Sequence, residues 1–355
     1  MKPEAIILSA VELLDEILAQ SKPANEVINT YTRNRRYIGS KDRRTLTDLV
    51  WNYIRHRSRL DFLYPDKTTA EKLSLTETLH GRKFPFHIAN EVPEWLVPLI
   101  PDAEHELPAL LSSADTILRV NGNRDKIQKQ LQTEGIETET TKLSPYGLRL
   151  KKRANLQGTK TFRKGLIEIQ DEGSQCVALE TGIQPNNTVL DYCAGAGGKS
   201  LIFAQMMSNK GTVVAHDISD RSLTELQKRA TRANASCIRI QKPLQPALYD
   251  HVVVDAPCSG TGTWRRCPDM RLKLTQDQFK KIIKTQAEIL KKAKDFVKPN
   301  GFLSYMTCSL TEPENRGQVQ NFLKQNPTFK LIKSRQFSPY QTNTDGLFIS
   351  VLQRQ

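Results

Sequence analysis

The sequence predicts an α/β protein whose C-terminal part is a Rossmann-like, doubly wound, mostly parallel sheet. A small α/β module and an all-helical N-terminal domain precede it. Three observations carry this expectation. Apolar, β-branched strands alternate with amphipathic helices from residue 165 to residue 355. A glycine-rich turn, CAGAGG over 193–198, joins one such strand to an apolar helix, where glycine lets the backbone turn sharply and approach a ligand. The strand VVVD (252–255) runs into PCSG, so a carboxylate and a thiol stand at the sheet edge where such folds place ligands.

At the N-terminus, residues 4–20 place Ile6, Ala10, Leu13, Leu14 and Ile17 on one helical face. A second helical pattern starts at Ser40, a candidate N-cap, and turns Leu46, Leu49, Val50, Tyr53 and Ile54 inward. These two patterns predict a helical domain over residues 1–75. Its outer faces are basic, with Arg33, Arg35, Arg36, Lys41, Arg43 and Arg44, then Arg55, Arg57 and Arg59. Tyr31, Tyr37, Trp51 and Tyr53 interleave with them, a composition suited to phosphate contact and base stacking. A solvated helix surface is the plain alternative. Residues 76–115, where Pro and His are frequent and periodicity is weak, read as a connector.

Residues 116–164 change pattern. ILRVN forms a strand, NRDKIQKQLQTEGI a basic helix ending at Gly135, and YGLRLKK a second strand, together a small α/β module.

The larger domain is expected over 165–355. Asp171 and Ser174 mark the start of its first helix. TVLD then leads through the glycine-rich turn, which matches neither GxGxxG nor the phosphate loop. TVVAHD ends in Asp217, and an acid at the end of the second strand is the usual partner of a ribose diol, which implies a nucleoside cofactor. After a basic helix (221–234) come the strands SCIRIQ and HVVVD. A helix over 277–297 with Phe279, Ile282, Ile283, Leu290, Ala293 and Val297 inward stops at PNG. GFLSYMTCSL and DGLFISVLQ close the sheet.

Composition narrows the function classes. Lys and Arg number 52 against 38 Asp and Glu, a net charge of +14, which suits nucleic acid or simply a Lys-rich soluble surface. None of the six cysteines forms a CxxC pair, which argues against a zinc ribbon or thioredoxin-type site and for no metal. The acidic amphipathic start is not a secretory signal, and no run of 18 apolar residues exists. A cytoplasmic protein with reduced thiols, a monomer without a membrane partner, is expected.

Two thiols, Cys258 in PCSG and Cys308 in TCSL, end strands of one sheet. Most free cysteines are buried hydrophobes, but both of these stand in polar, turn-forming contexts. A thiolate beside a nucleoside cofactor and a basic surface suits attack on a pyrimidine. Addition to cytosine C6 makes C5 nucleophilic enough to accept a methyl group from a sulfonium donor. Asp255, three residues before Cys258, is placed to stabilise charge at N3.

The motifs IQDEGSQ, VLDYCAGAGGKS, VVAHDISDRSL, VVVDAPCSGTGTWRRCPDMR, YMTCSLTEPEN and TDGLFISVL, in this order within residues 92–355, resemble those of the RNA cytosine-5 methyltransferases of the Sun/Nop type. The resemblance implies an S-adenosylmethionine-dependent enzyme acting on RNA, with ribosomal RNA ahead of transfer RNA. It implies Cys308 as the nucleophile, Cys258 as the thiol that assists proton removal and adduct release, and Asp255 at the base edge, with Lys199 in the same catalytic set. Cys193, Ala194, Gly195, Ala196, Gly197, Gly198 and Lys199 would form the methionine-side loop and Asp217 the ribose acid, with Asp255 close to the methyl donor. Arg265 and Arg266 would meet RNA phosphates, joined by Arg35, Arg36, Arg43 and Arg44 of a reduced NusB-like RNA-binding domain. Three positions depart from the family pattern. CAAPGGKT is here CAGAGGKS, without its proline. The acid expected to hold the adenine amine is replaced by Gln241 and Lys242, and a frequent His is Cys267. An RNA-binding ribosome-assembly factor with weak catalysis is the reading of a different class. A DNA cytosine methyltransferase does not fit, because those enzymes lack the TCS thiol.

Overall fold

The computed structural model describes residues 1–20, 22–76 and 92–355. It divides into two compact units, residues 1–113 with 263–278, and residues 114–262 with 279–355. This differs from a linear division. The stretch after PCSG folds with the N-terminal helices, and the small module shares a unit with the large sheet. Residues 77–91 of the expected connector lie outside the described residues.

The first unit is helical, with helices Pro3–Ala19, Ala24–Asn34, Ser40–Leu63, Thr69–Leu75 and Ala103–Leu111 and a 3-10 turn Glu94–Leu99. Leu13, Leu14, Ile17, Tyr31, Val50, Ile54 and Leu60 are its buried centre. Ser40 is the first helical residue and not the cap. Gly39 takes the N-cap position, and no side chain caps it. The helix Ala24–Asn34 was not anticipated, and its cap explains why. Its first N–H, that of Ala24, donates to Asp269 Oδ2 at 2.9 Å, a partner 245 residues away. Arg271, fully buried in the short helix Asp269–Lys273, donates to the Ile54 carbonyl at 3.0 Å.

The second unit holds two sheets. The smaller runs β2-β3-β1-β4, built from β1 (Ile117–Val120), β2 (Thr138–Thr140), β3 (Gly147–Leu150) and β4 (Ile167–Ile169), all paired antiparallel. Its helix Arg124–Thr133 is capped by Asn123, which accepts from the Lys126 N–H. A boundary at residue 165 would cut this sheet, because β4 pairs with β1 through Leu118 opposite Ile169.

The larger sheet comprises β5 (Thr188–Asp191), β6 (Thr212–Ala215), β7 (Ile238–Ile240), β8 (Tyr249–Asp255), β9 (Val297–Thr307), β10 (Phe329–Phe337) and β11 (Leu347–Arg354), in the order β10-β11-β9-β8-β5-β6-β7. The five strands from β9 to β7 are parallel, and β11 and β10 add antiparallel. Along β8, Val253 packs with Ile202 and Phe203 of the helix Gly198–Met206. Val252 and Val254 pack with Leu290 and Val319 on the other face. Successive strand residues point to opposite faces, so VVV is apolar throughout because both faces are covered. Val297 begins β9 and does not end the preceding helix, whose regular α part is Gln276–Ala293; the PNG turn lies within the strand. No described helix is long and apolar enough to cross a membrane.

Candidate active site

Asp191, Asp217 and the β8 carboxylate Asp255 all lie at or just past the C-terminal ends of parallel strands, where the glycine-rich turn begins. Gly195 and Gly197 hold φ of +52° and +83°, a region that L side chains rarely adopt. At Gly197 an added Cβ would also lie 2.5 Å from Leu226 Cγ, whereas at Gly195 it would meet nothing within 4 Å, so the loop is braced beneath and open above. The Gly195 N–H donates to Asp217 Oδ2 and the Ser219 N–H to Oδ1, both at 2.8 Å, which aims the Asp217 carboxylate. Ile218 beside it is 88% exposed.

Asp191 is fully buried. Its Oδ2 accepts from Ser200 Oγ at 2.6 Å, and its Oδ1 has no hydrogen-bond partner. Burial above all, with Asp255 and Asp217 adding repulsion, pushes its carboxyl up to about 7, against the Ser200 hydrogen bond. Burial likewise raises the Cys193 thiol, which is half-buried in the turn. Lys199 Nζ donates to Asp255 Oδ2 at 2.5 Å from the first turn of the following helix. Burial works against that ammonium, but Asp255 more than offsets it and the Lys199 pKa is raised. Two carboxylates, Asp217 and Asp255, beside an open glycine turn suit a cationic sulfonium nucleoside. The helix N-terminus at Gly198 suits a carboxylate. The donor set fits S-adenosylmethionine.

The two thiols meet. Cys258 Sγ and Cys308 Sγ are 3.2 Å apart, and the Cys308 N–H donates to Cys258 Sγ at 3.3 Å. The hydrogen bond with Cys308, then burial, then the charges of Cys308 and Glu314 raise the Cys258 pKa well above an ordinary thiol. Gly262 ties the loops together, donating to the Cys308 carbonyl at 3.0 Å and accepting from the Gly346 N–H at 2.8 Å.

Of the residues expected to touch RNA, Arg265 needs correction. It is 4% exposed, in the helical unit, and its Nη2 points to the Ser113 carbonyl at 3.5 Å. Arg55 is also drawn inward, donating to the carbonyls of Arg265 at 2.6 Å and Ser112 at 2.8 Å. Adjacent arginines in a turn read as a surface signal, but here one of them is a structural strut. Tyr31 and Tyr53 are core residues, so they are not stacking platforms. Arg35 lies over the Tyr31 ring at 3.6 Å and pairs with Glu12 at 3.5 Å. Arg43 donates to the Ile38 carbonyl at 2.7 Å, and Arg44 is within 3.9 Å of Asp48. Arg36 and Tyr37 are exposed, and Arg266 is half-buried.

Two side chains that brace the site carry no signal of that in the sequence. Arg229 Nη1 donates to the Ala196 carbonyl at 2.7 Å, at the position where the family pattern has its proline. Glu168 on β4 holds Arg229 at 3.0 Å and also pairs with Arg232. No spacing rule links 168, 196 and 229. The other is Glu314, in the quoted TEPEN motif, six positions after Cys308. Lys242, where the family pattern has an acid, turns back to the Ile218 carbonyl at 2.5 Å and Asp220 at 2.9 Å.

Residues 178–353 match the family model described as 16S rRNA methyltransferase RsmB/F. The chain is similar to the probable ribosomal RNA small subunit methyltransferase B of Bacillus subtilis, with 31% identity over 74% of this chain. It spans 66% of that protein, just under two thirds of its length. A probable ribosomal RNA small subunit methyltransferase B of Synechocystis sp. is 29% identical over 94% of this chain and 79% of its own. Among solved structures, the crystal structure of PH0851 superposes with a TM-score of 0.82 at 20% identity, covering 100% of this chain and 99% of that one. NSun6 from Pyrococcus horikoshii with SFG gives 0.67 at 19% identity, covering 74% and 97%. At these identities the structures share the fold.

Proposed function

We propose that the chain, whose residues 178–353 match the 16S rRNA methyltransferase RsmB/F family model, methylates cytosine C5 in RNA, ribosomal RNA first, using S-adenosylmethionine. The observation that carries this reading is the pair of sulfurs 3.2 Å apart above a Lys199–Asp255 ion pair. One thiol adds and the other serves the departure. Cys308 Sγ, having lost its proton, adds to C6, the C5–C6 π electrons move to C5 and toward N3, and the proton between Lys199 and Asp255 can be shared with N3 to neutralise the charge there. The cofactor, when bound, supplies a methyl group on a sulfonium for C5. Loss of the C5 proton to a nearby base then re-forms the double bond and expels Cys308, and Cys258 is the thiol placed to assist. Asp217 and Asp255 would hold the nucleoside and cationic part of the donor, and residues 193–199 its methionine end.

Bisulfite mapping of total RNA with and without the gene tests the substrate. A cytosine in small-subunit ribosomal RNA that loses its protection when the gene is absent supports the reading, and a transfer RNA position moves the assignment to that substrate. The absence of an acid at Gln241 and Lys242 favours the rival RNA-binding reading, which cofactor titration decides. Failure to bind S-adenosylmethionine at physiological concentration would sink the enzymatic one.

A further inference from the structure

Glu314 is entirely buried, and both cysteine loops end on it. Its Oε1 accepts from the Ser259 N–H at 2.7 Å and from Gln286 Nε2 at 3.0 Å. Its Oε2 accepts from the hydroxyls of Ser259, Ser309 and Thr311 at 2.5, 2.6 and 2.7 Å. Five donors on two oxygens nearly fill the acceptor capacity of an ionised carboxylate. Among the described residues no Lys, Arg or His pairs with it, so neutral dipoles alone balance it. Four of the five come from residues that follow the cysteines, Ser259, Ser309 and Thr311. Gln286 also donates to the Pro257 carbonyl at 3.0 Å, and the Tyr305 hydroxyl fixes the Glu314 backbone at 2.8 Å.

We propose that Glu314 is a positioning residue that registers the PCSG and TCSL loops against each other and so sets the separation of Cys258 and Cys308. The proposal deepens the two-thiol reading and rests on it. A buried acid with hydroxyl and amide donors packs less tightly than an apolar contact, but it fixes direction, because each donor has one productive orientation. Its charge also raises the Cys258 pKa, behind the hydrogen bond to Cys308, burial and the Cys308 charge.

The test needs neither RNA nor cofactor for its first readout. Dibromobimane bridges two thiols only when they lie a few ångströms apart, and loss of the bridge in Cys258→Ala and in Cys308→Ala identifies the pair. In the full chain, Glu314→Gln should slow bridging roughly tenfold while single alkylation by monobromobimane changes less than about twofold. It should lower kcat for methyl transfer roughly tenfold with donor affinity unchanged. If Glu314→Gln does not fold, Thr311→Val, which removes one hydroxyl donor at constant shape, should show the same split in smaller measure. Wild-type bridging and turnover in a folded variant overturns the proposal, as does a wild-type protein that does not bridge. Glu314-dependent bridging in a protein that methylates no cytosine refutes the two-thiol reading and leaves the positioning role standing.

Discussion

Cys258 and Cys308 come within 3.2 Å of each other from loops that leave neighbouring parallel strands, β8 and β9. A thiol attacks only once it has lost its proton, and the hydrogen bond to Cys308 and burial work against that at Cys258, in keeping with Cys308 as the proposed nucleophile. Replacing Cys308 with Ala is therefore expected to abolish both methyl transfer and any covalent RNA adduct. Cys258→Ala should leave a long-lived adduct, seen as a retarded band on a denaturing gel. An adduct from the Cys308 variant alone would reverse the roles.

The Lys199–Asp255 pair is the charged floor of the site, with Lys199 10% and Asp255 31% exposed at their side chains. Lys199→Met removes the cation and leaves a half-buried carboxylate unbalanced. Methyl transfer should fall by about 10²-fold, and stability by roughly 2 kcal/mol, measured by single-turnover kinetics and by urea denaturation. Loss of stability alone, with turnover intact, would make the pair structural.

Much of this site was legible in the sequence, for a physical reason. Asp217, Asp255, Cys258 and Cys308 stand at or just beyond the ends of buried strands, and a run of β-branched residues ending in a polar turn marks such an end directly. The parallel order was legible from the alternation of strands and helices. Less visible was whatever depended on distant partners. The helix Ala24–Asn34 takes its cap from Asp269, and Arg265 is buried by a fold in which 263–278 returns to the N-terminal helices. Edge strand β10 carries KLIKSRQ exposed on both faces with an irregularity at Leu331/Lys333, so no period of two exists to read.

Gly262 and Gly346 touch backbone to backbone. A Cβ on Gly262 would lie 2.0 Å from the Gly346 carbonyl oxygen and 2.7 Å from its Cα, and neither can swing away as a side chain could. Gly262→Ala should destabilise the protein by about 1–3 kcal/mol and separate the cysteine loops, lowering activity more than stability requires. A melting temperature and turnover matching the parent would show that the contact yields without cost.

Arg229 fixes the Ala196 carbonyl in a loop that lacks the family's proline. Proline stiffens a loop by removing backbone freedom, and a donor on the carbonyl restrains it from outside. Arg229→Met should weaken S-adenosylmethionine binding roughly tenfold by titration calorimetry. Arg232→Met removes the other partner of Glu168 without touching the loop, so it should cost stability alone. Equal losses of affinity in both variants would assign the effect to Glu168 and not to the loop.

Asp191 makes stability depend on pH in an unusual direction. Its carboxyl is raised from 3.8 to about 7 in the folded chain, chiefly by burial. Between those values the folded state keeps a proton that the unfolded chain has released. Stability from this group therefore falls as pH rises from 4 to 7, and the whole cost is present above 7. That cost is on the order of a few kcal/mol. Asp191→Asn removes the titration while leaving an oxygen to accept from Ser200. Any loss from imperfect hydrogen bonding is the same at every pH, so the comparison across pH isolates the charge. Without cofactor, the melting temperature of the variant relative to the parent should be higher at pH 8 than at pH 5. A difference that is flat with pH, or larger at pH 5, would mean that Asp191 is ionised at little cost and is better solvated than its burial implies.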